Sequence, residues 1–95
     1  MVNASDLVRA HVKIYGKVQN VGFRFFIHRK ASVAGLTGWV GNADGNQVET
    51  VFEGDKKRIE EFIESCRRGP LFSKVEKLEI EWQEPTGEFK RFEVR

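Results

Sequence analysis

Residues Gly16–Arg24 read GKVQNVGFR, and the runs on either side of them decide the fold. Upstream, Val8, Ala10, Val12 and Ile14 alternate with Arg9, His11, Lys13 and Tyr15, the period of a half-buried strand over Leu7–Tyr15. Downstream, Phe23, Phe26, Ile27, Ala31 and Ala34 recur at helical spacing and predict an amphipathic helix that Gly35 stops. The stretch is therefore a strand-to-helix loop with glycines near both ends and no acidic side chain. A helix N-terminus offers unpaired N–H donors and partial positive charge. Arg24 falls in its first turn, where a side chain leans back toward the loop. We read the stretch as a cradle for a phosphoryl group, although such loops are common and most bind nothing. It matches neither GxxxxGK[ST] nor GxGxxG, so neither nucleotide fingerprint applies.

The remaining elements follow in order. Leu36–Asn42 (LTGWVGN) reads as a second strand, Ala43–Gln47 (ADGNQ) as a turn that tolerates positive φ, and Val48–Glu53 as a third strand closing a hairpin. Val48, Thr50 and Phe52 share one face of it; Glu49, Val51 and Glu53 share the other. Asp55 is the expected N-cap of a second helix, whose stripe is Ile59, Phe62, Ile63 and Cys66 and which Gly69 and Pro70 end. Leu78, Ile80 and Trp82 alternate with charges in a fourth strand, and Phe92 and Val94 mark a short fifth strand or edge. The order β-α-β-β-α-β predicts a ferredoxin-like α/β sandwich: a mainly antiparallel sheet with two helices on one face and water on the other.

With 95 residues, 40% hydrophobic and 32% charged, the chain suits one globular domain, 1–95, with a frayed lead-in over Met1–Asp6. A net charge of +2 points to neither nucleic acid nor a membrane surface. No apolar run approaches the length of a membrane span, and MVNASDL lacks the apolar segment of a signal peptide. The lone Cys66 admits no intrachain disulfide, so the expected compartment is the cytoplasm. No Cys/His cluster has metal-ligand spacing; neither metal nor cofactor is expected. His11 reads as a solvated strand histidine, and Cys66 as a small core residue.

In this fold the loop after the first strand and the end of the second strand lie near one edge, which brings Asn42 toward the cradle. Arg24 offers a planar fork to phosphate oxygens, the N–H groups supply pre-oriented dipoles, and the Asn42 carboxamide can hold a water. No triad or nucleophile is evident. Such a spare site suits an acyl phosphate, whose carboxylate leaves without a proton, better than a phosphate ester, which calls for a metal or a general acid.

The sequence resembles the acylphosphatase family. Gly16, Val18, Gln19, Val21, Phe23 and Arg24 match its loop G-x-V-Q-G-V-x-F/Y-R. Gly38, Trp39, Val40, Asn42, Val48 and Gly54 match its second signature, and GPLFSKVEKLEIEW and FKRFEVR are similar to its fourth strand and tail. The resemblance implies that Arg24 binds the substrate phosphate with the main-chain N–H groups of Lys17, Val18, Gln19, Asn20, Val21 and Gly22. It implies that Asn42 orients the attacking water and that a phosphate oxygen takes the water's proton, without metal. It further implies a small-molecule acyl phosphate as substrate, and a monomer is expected. Two positions depart from the pattern: Asn20 replaces the loop glycine, and the turn after Asn42 carries Gly45 and Asn46 where the glycine is expected one residue later. Asn is the next most tolerant residue of a left-handed conformation. The loop is expected to keep its shape, with a side chain that crowds or bonds the phosphate. An alternative is thus a catalytically impaired phosphate-binding or acyl-phosphate-binding module. An RNA-recognition module shares the element order, but its aromatic sheet face is lacking: Tyr15 is on the polar side of the first strand, and the third strand offers only Glu49, Val51 and Glu53 there.

Overall fold

The computed structural model describes residues 6–95. The expected lead-in over Met1–Asp6 falls, but for Asp6, outside the described residues. The elements are β1 (Leu7–Lys17), α1 (Phe23–Val33), β2 (Thr37–Ala43), β3 (Gln47–Asp55), α2 (Lys56–Arg68), β4 (Lys74–Gln83) and β5 (Phe92–Val94). They form one five-stranded sheet in the order β4-β1-β3-β2-β5. The first four strands pair antiparallel, and β5 lies parallel to the outer edge of β2, with Trp39 opposite Glu93. This is the ferredoxin-like α+β sandwich that the alternation predicts. No described helix is long and apolar enough to cross a membrane.

The inward positions of the strands meet the helix stripes in one core. Ala10, Val12 and Ile14 of β1 and Val48 and Phe52 of β3 are fully buried against Phe23, Ile27 and Ala31 of α1 and Ile59, Phe62 and Cys66 of α2. Phe52 and Phe62 meet edge to face with ring centroids 4.9 Å apart. Each large apolar side chain so buried contributes about 1.5–3 kcal/mol. Thr50, polar and also fully buried, is satisfied because its hydroxyl donates to the Trp39 carbonyl at 2.7 Å.

Three local expectations change. Asp55 occupies the N-cap of α2, but its carboxylate makes no capping bond; the residue is instead the last of β3, paired with Leu7. His11 is half-buried and paired with Glu49 rather than simply solvated. The face opposite the helices is not all open to water. The segment 84–91, which carries the chain from β4 to β5, crosses the β1–β3 end of that face and buries Glu53 to 6% exposure. Glu53 accepts bonds from the main-chain N–H groups of Thr86 and Gly87, the Thr86 hydroxyl and Arg9, each at 2.9 Å. Burial pushes its pKa up, but these donors together outweigh burial and hold it below the usual carboxylate value.

Candidate active site

The cradle begins where β1 bends. Its register against β4 shifts between Tyr15 and Gly16, and a Cβ on Gly16 would lie 2.1 Å from the Lys74 carbonyl oxygen. Only glycine allows the two strands this approach. The loop then turns through two left-handed residues, Asn20 (φ 61) and Gly22 (φ 77), the second being the N-cap of α1. Asn20 thus adopts the conformation expected of the glycine it replaces. Gly22 has no side chain to occupy the first N–H groups of the helix, and the first turn holds no acidic residue. Among the described residues, no main-chain N–H from Val18 to Gly22 has a main-chain partner. That is the electrostatic setting of an anion site.

Arg24 and Asn42 line one pocket of about 180 Å³ with Val18, Asn20, Gly22, Phe23 and Phe25. The volume lies below the roughly 300–1,000 Å³ of sites for drug-sized ligands and suits a small anion. Arg24 is fixed from the far end of the chain: its Nη1 donates to the Arg95 main-chain oxygen at 3.0 Å. Arg95 is in turn tied to β2, through its N–H on the Val40 carbonyl at 2.7 Å and its guanidinium 4.6 Å above the Trp39 ring. The other guanidinium nitrogens have no acceptor among the described residues. Asn42 stands at the end of β2, opposite Val48, with its side chain exposed.

The other loop residues divide. Val18, Asn20 and Gly22 line the pocket; Lys17, Gln19 and Val21 do not. Lys17 and Gln19 line a groove on the β4 side of the loop, together with Tyr15 and Glu76, and Val21 packs on the core. The Gln19 side chain turns to the hairpin: its Nε2 donates to the Ala43 carbonyl at 2.9 Å and the Gln47 carbonyl at 2.8 Å. Ala43 and Gln47 form the last rung of the β2–β3 pair, so one amide fastens the cradle to the strand end that carries Asn42. Phe25 was not a candidate from sequence. The pattern Phe23–Phe26–Ile27 marks the core stripe, and nothing in the sequence says that the neighbouring phenylalanine borders the pocket.

Among the described residues no group of three or more His, Cys, Asp or Glu side chains is arranged to hold a metal ion. Burial pushes the Cys66 thiol up to about 12, so at neutral pH it is a protonated core residue and no nucleophile.

The family described as Acylphosphatase matches residues 10–94. An acylphosphatase of Moorella thermoacetica is 45% identical over 83 residues, 87% of this chain and 89% of the relative. One of Thermococcus kodakarensis is 46% identical over 80 residues, 84% and 88% of the two chains. The crystal structure of an acylphosphatase from Bacillus subtilis superposes with a TM-score of 0.90 at 32% identity, covering 93% of this chain and 98% of that one. With the family matched over residues 10–94 and relatives 45% and 46% identical over most of their length, the chain belongs to the acylphosphatase family.

Proposed function

We propose that this protein hydrolyses acyl phosphates to a carboxylate and inorganic phosphate by in-line attack of water at phosphorus. The observation that carries the reading is the meeting of Arg24 and Asn42, from two separate signatures, in one small pocket at the N-terminus of α1. The phosphoryl group sits against the Val18–Gly22 main chain and the free edge of the Arg24 guanidinium. These donors are aimed before the reaction and match the charge that gathers on the equatorial oxygens. Asn42 holds the water by its carboxamide. The water oxygen bonds to phosphorus, the bond from phosphorus to the acyl oxygen breaks with its electron pair, and the carboxylate leaves. A phosphoryl oxygen takes the water's proton, so the products are the carboxylate and dihydrogen phosphate. No protein base and no metal takes part. The reading includes a cytoplasmic location, which the lone thiol suits, and a monomer. It includes no nucleic-acid partner, which Glu49, Glu79 and Glu81 on the outer sheet face support.

Steady-state hydrolysis of benzoyl phosphate in EDTA is the test. Arg24→Ala removes competitive inhibition by inorganic phosphate and lowers kcat/KM by about 10²–10³. Asn42→Ala lowers kcat by a similar factor while KM stays within about threefold. Full turnover in Asn42→Ala overturns the water-holding role, and dependence on added metal overturns the metal-free chemistry.

A further inference from the structure

Helix α1 carries a second stripe besides the one it buries. Gly22, Phe26, Arg29 and Val33 follow one another at three- to four-residue steps, with Phe25 beside Phe26, so they border a face running the length of the helix. With Lys30 and with Pro70 from beyond α2 they line a groove of about 610 Å³. The face is uncovered: Phe25 is 68% exposed and Val33 84%. Gly22 and Phe25 border both this groove and the phosphate pocket, whereas Asn42 borders the pocket alone. A molecule whose phosphoryl head is seated in the pocket thus has a continuous wall leading out of it, on ground that the water-holding carboxamide does not occupy. The groove's volume is that of a small-molecule site, where the pocket's is not.

The groove also carries charge of one sign. Arg29 is exposed and has no ion-pair or hydrogen-bond partner among the described residues. The Lys30 ammonium lies 5.8 Å from the Phe26 ring centroid, and no acidic residue lines the groove. Arg29 stands one turn beyond Phe25, a rise of about 6 Å.

We propose that this groove receives the acyl part of the substrate: a flat apolar body against Phe25 and Phe26, with a second negative charge beyond it that Arg29 meets. The proposal rests on the acyl-phosphate reading and adds the class of acyl group preferred. The groove touches no reacting bond. It binds substrate and transition state alike, so its effect falls on KM rather than kcat.

Three probes separate the possibilities: acetyl phosphate, benzoyl phosphate and 4-carboxybenzoyl phosphate, tested on the unmodified protein, Phe25→Ala and Arg29→Gln. Both side chains are exposed, so the variants keep the fold. The expected KM falls about tenfold from acetyl to benzoyl phosphate and further for the carboxylated probe. Phe25→Ala raises KM for the two aromatic probes by about tenfold. Arg29→Gln raises it about threefold for 4-carboxybenzoyl phosphate alone and leaves acetyl phosphate unchanged. Equal KM for all three probes in the unmodified protein, or variants that shift all three alike, overturns the groove while leaving the phosphatase reading intact. Failure to hydrolyse any of the three overturns both.

Discussion

The carboxamide of Gln19 spends both of its N–H donors on carbonyls of the last hairpin rung. Gln19→Ala leaves those oxygens without that donor and frees the cradle to drift relative to Asn42. The expected result is a loss of about 1–2 kcal/mol in urea unfolding and a fall in kcat that exceeds the change in KM. Gln19→Glu, which sets a carboxylate against two carbonyl oxygens, falls below Gln19→Ala on both measures. Parity of Gln19→Glu with the unmodified protein would mean that the clamp plays no part. Asn20 poses a separate question. It already holds the left-handed conformation at φ 61, so Asn20→Gly changes turnover by less than about threefold, the kinetic size of an adjustment under 1 kcal/mol. A gain of tenfold would instead identify its side chain as an obstruction and revive the impaired module. The residues differ in how legible they were. The conformation of Asn20 follows from the tolerance of Asn for positive φ. The role of the Gln19 side chain does not follow from any local pattern, because its partners stand 24 and 28 positions away. The place of Phe25 is equally unreadable: helical spacing leaves it off the core stripe of Phe23, Phe26 and Ile27, but no local pattern says that it borders the pocket.

At the scale of elements, the periods of two and of about 3.6 marked β1, β3, β4 and both helices, because each buries one face against the same core, while β5 was read only as a short strand or edge. What they missed is aperiodic. Segment 84–91 has no repeating pattern, yet it covers Glu53 on a face that alternation assigns to water. The Glu53 carboxylate is therefore the pin of that crossing. Its folded pKa lies below the ordinary 4.5, so the native state binds fewer protons than the unfolded chain. The stabilisation is complete above the unfolded pKa and drains away as pH falls through the lower folded value. A urea-midpoint profile is thus flat from pH 7 down to about 5 and drops below that. Glu53→Gln shows a smaller acid drop, and Glu53→Ala, which leaves the Thr86 and Gly87 N–H groups without their acceptor while Arg9 keeps Glu88 and Gln83, is destabilised by about 2 kcal/mol at pH 7. The loop between α2 and β4 makes the opposite case. Phe72 is 75% exposed and sits at φ 71, a region that disfavours its Cβ. Phe72→Gly stabilises by about 0.5–1 kcal/mol, read as a rise of a few degrees in melting temperature.

Over the whole molecule, the sandwich was legible because one core is enough for a chain of this length, and the helix stripes and inward strand positions all point into it. The direction of β5 was not, since three residues carry too little pattern to say which neighbour they join. Cys66 offers a global readout. It is buried and its thiol is pushed up to about 12, so Ellman's reagent modifies it only as fast as the domain opens. The modification rate should track urea unfolding and jump at its midpoint; fast reaction in native buffer would show that α2 frays locally. The bond from Arg24 to Arg95 spans 71 positions. During translation the ribosome releases the anion cradle first, and its brace follows about 4–14 s later at roughly 5–20 residues per second. On the proposed reading, a nascent chain in that interval carries every side chain of the first signature without the carbonyl that holds Arg24, and acyl-phosphate hydrolysis is expected only once β5 docks beside β2.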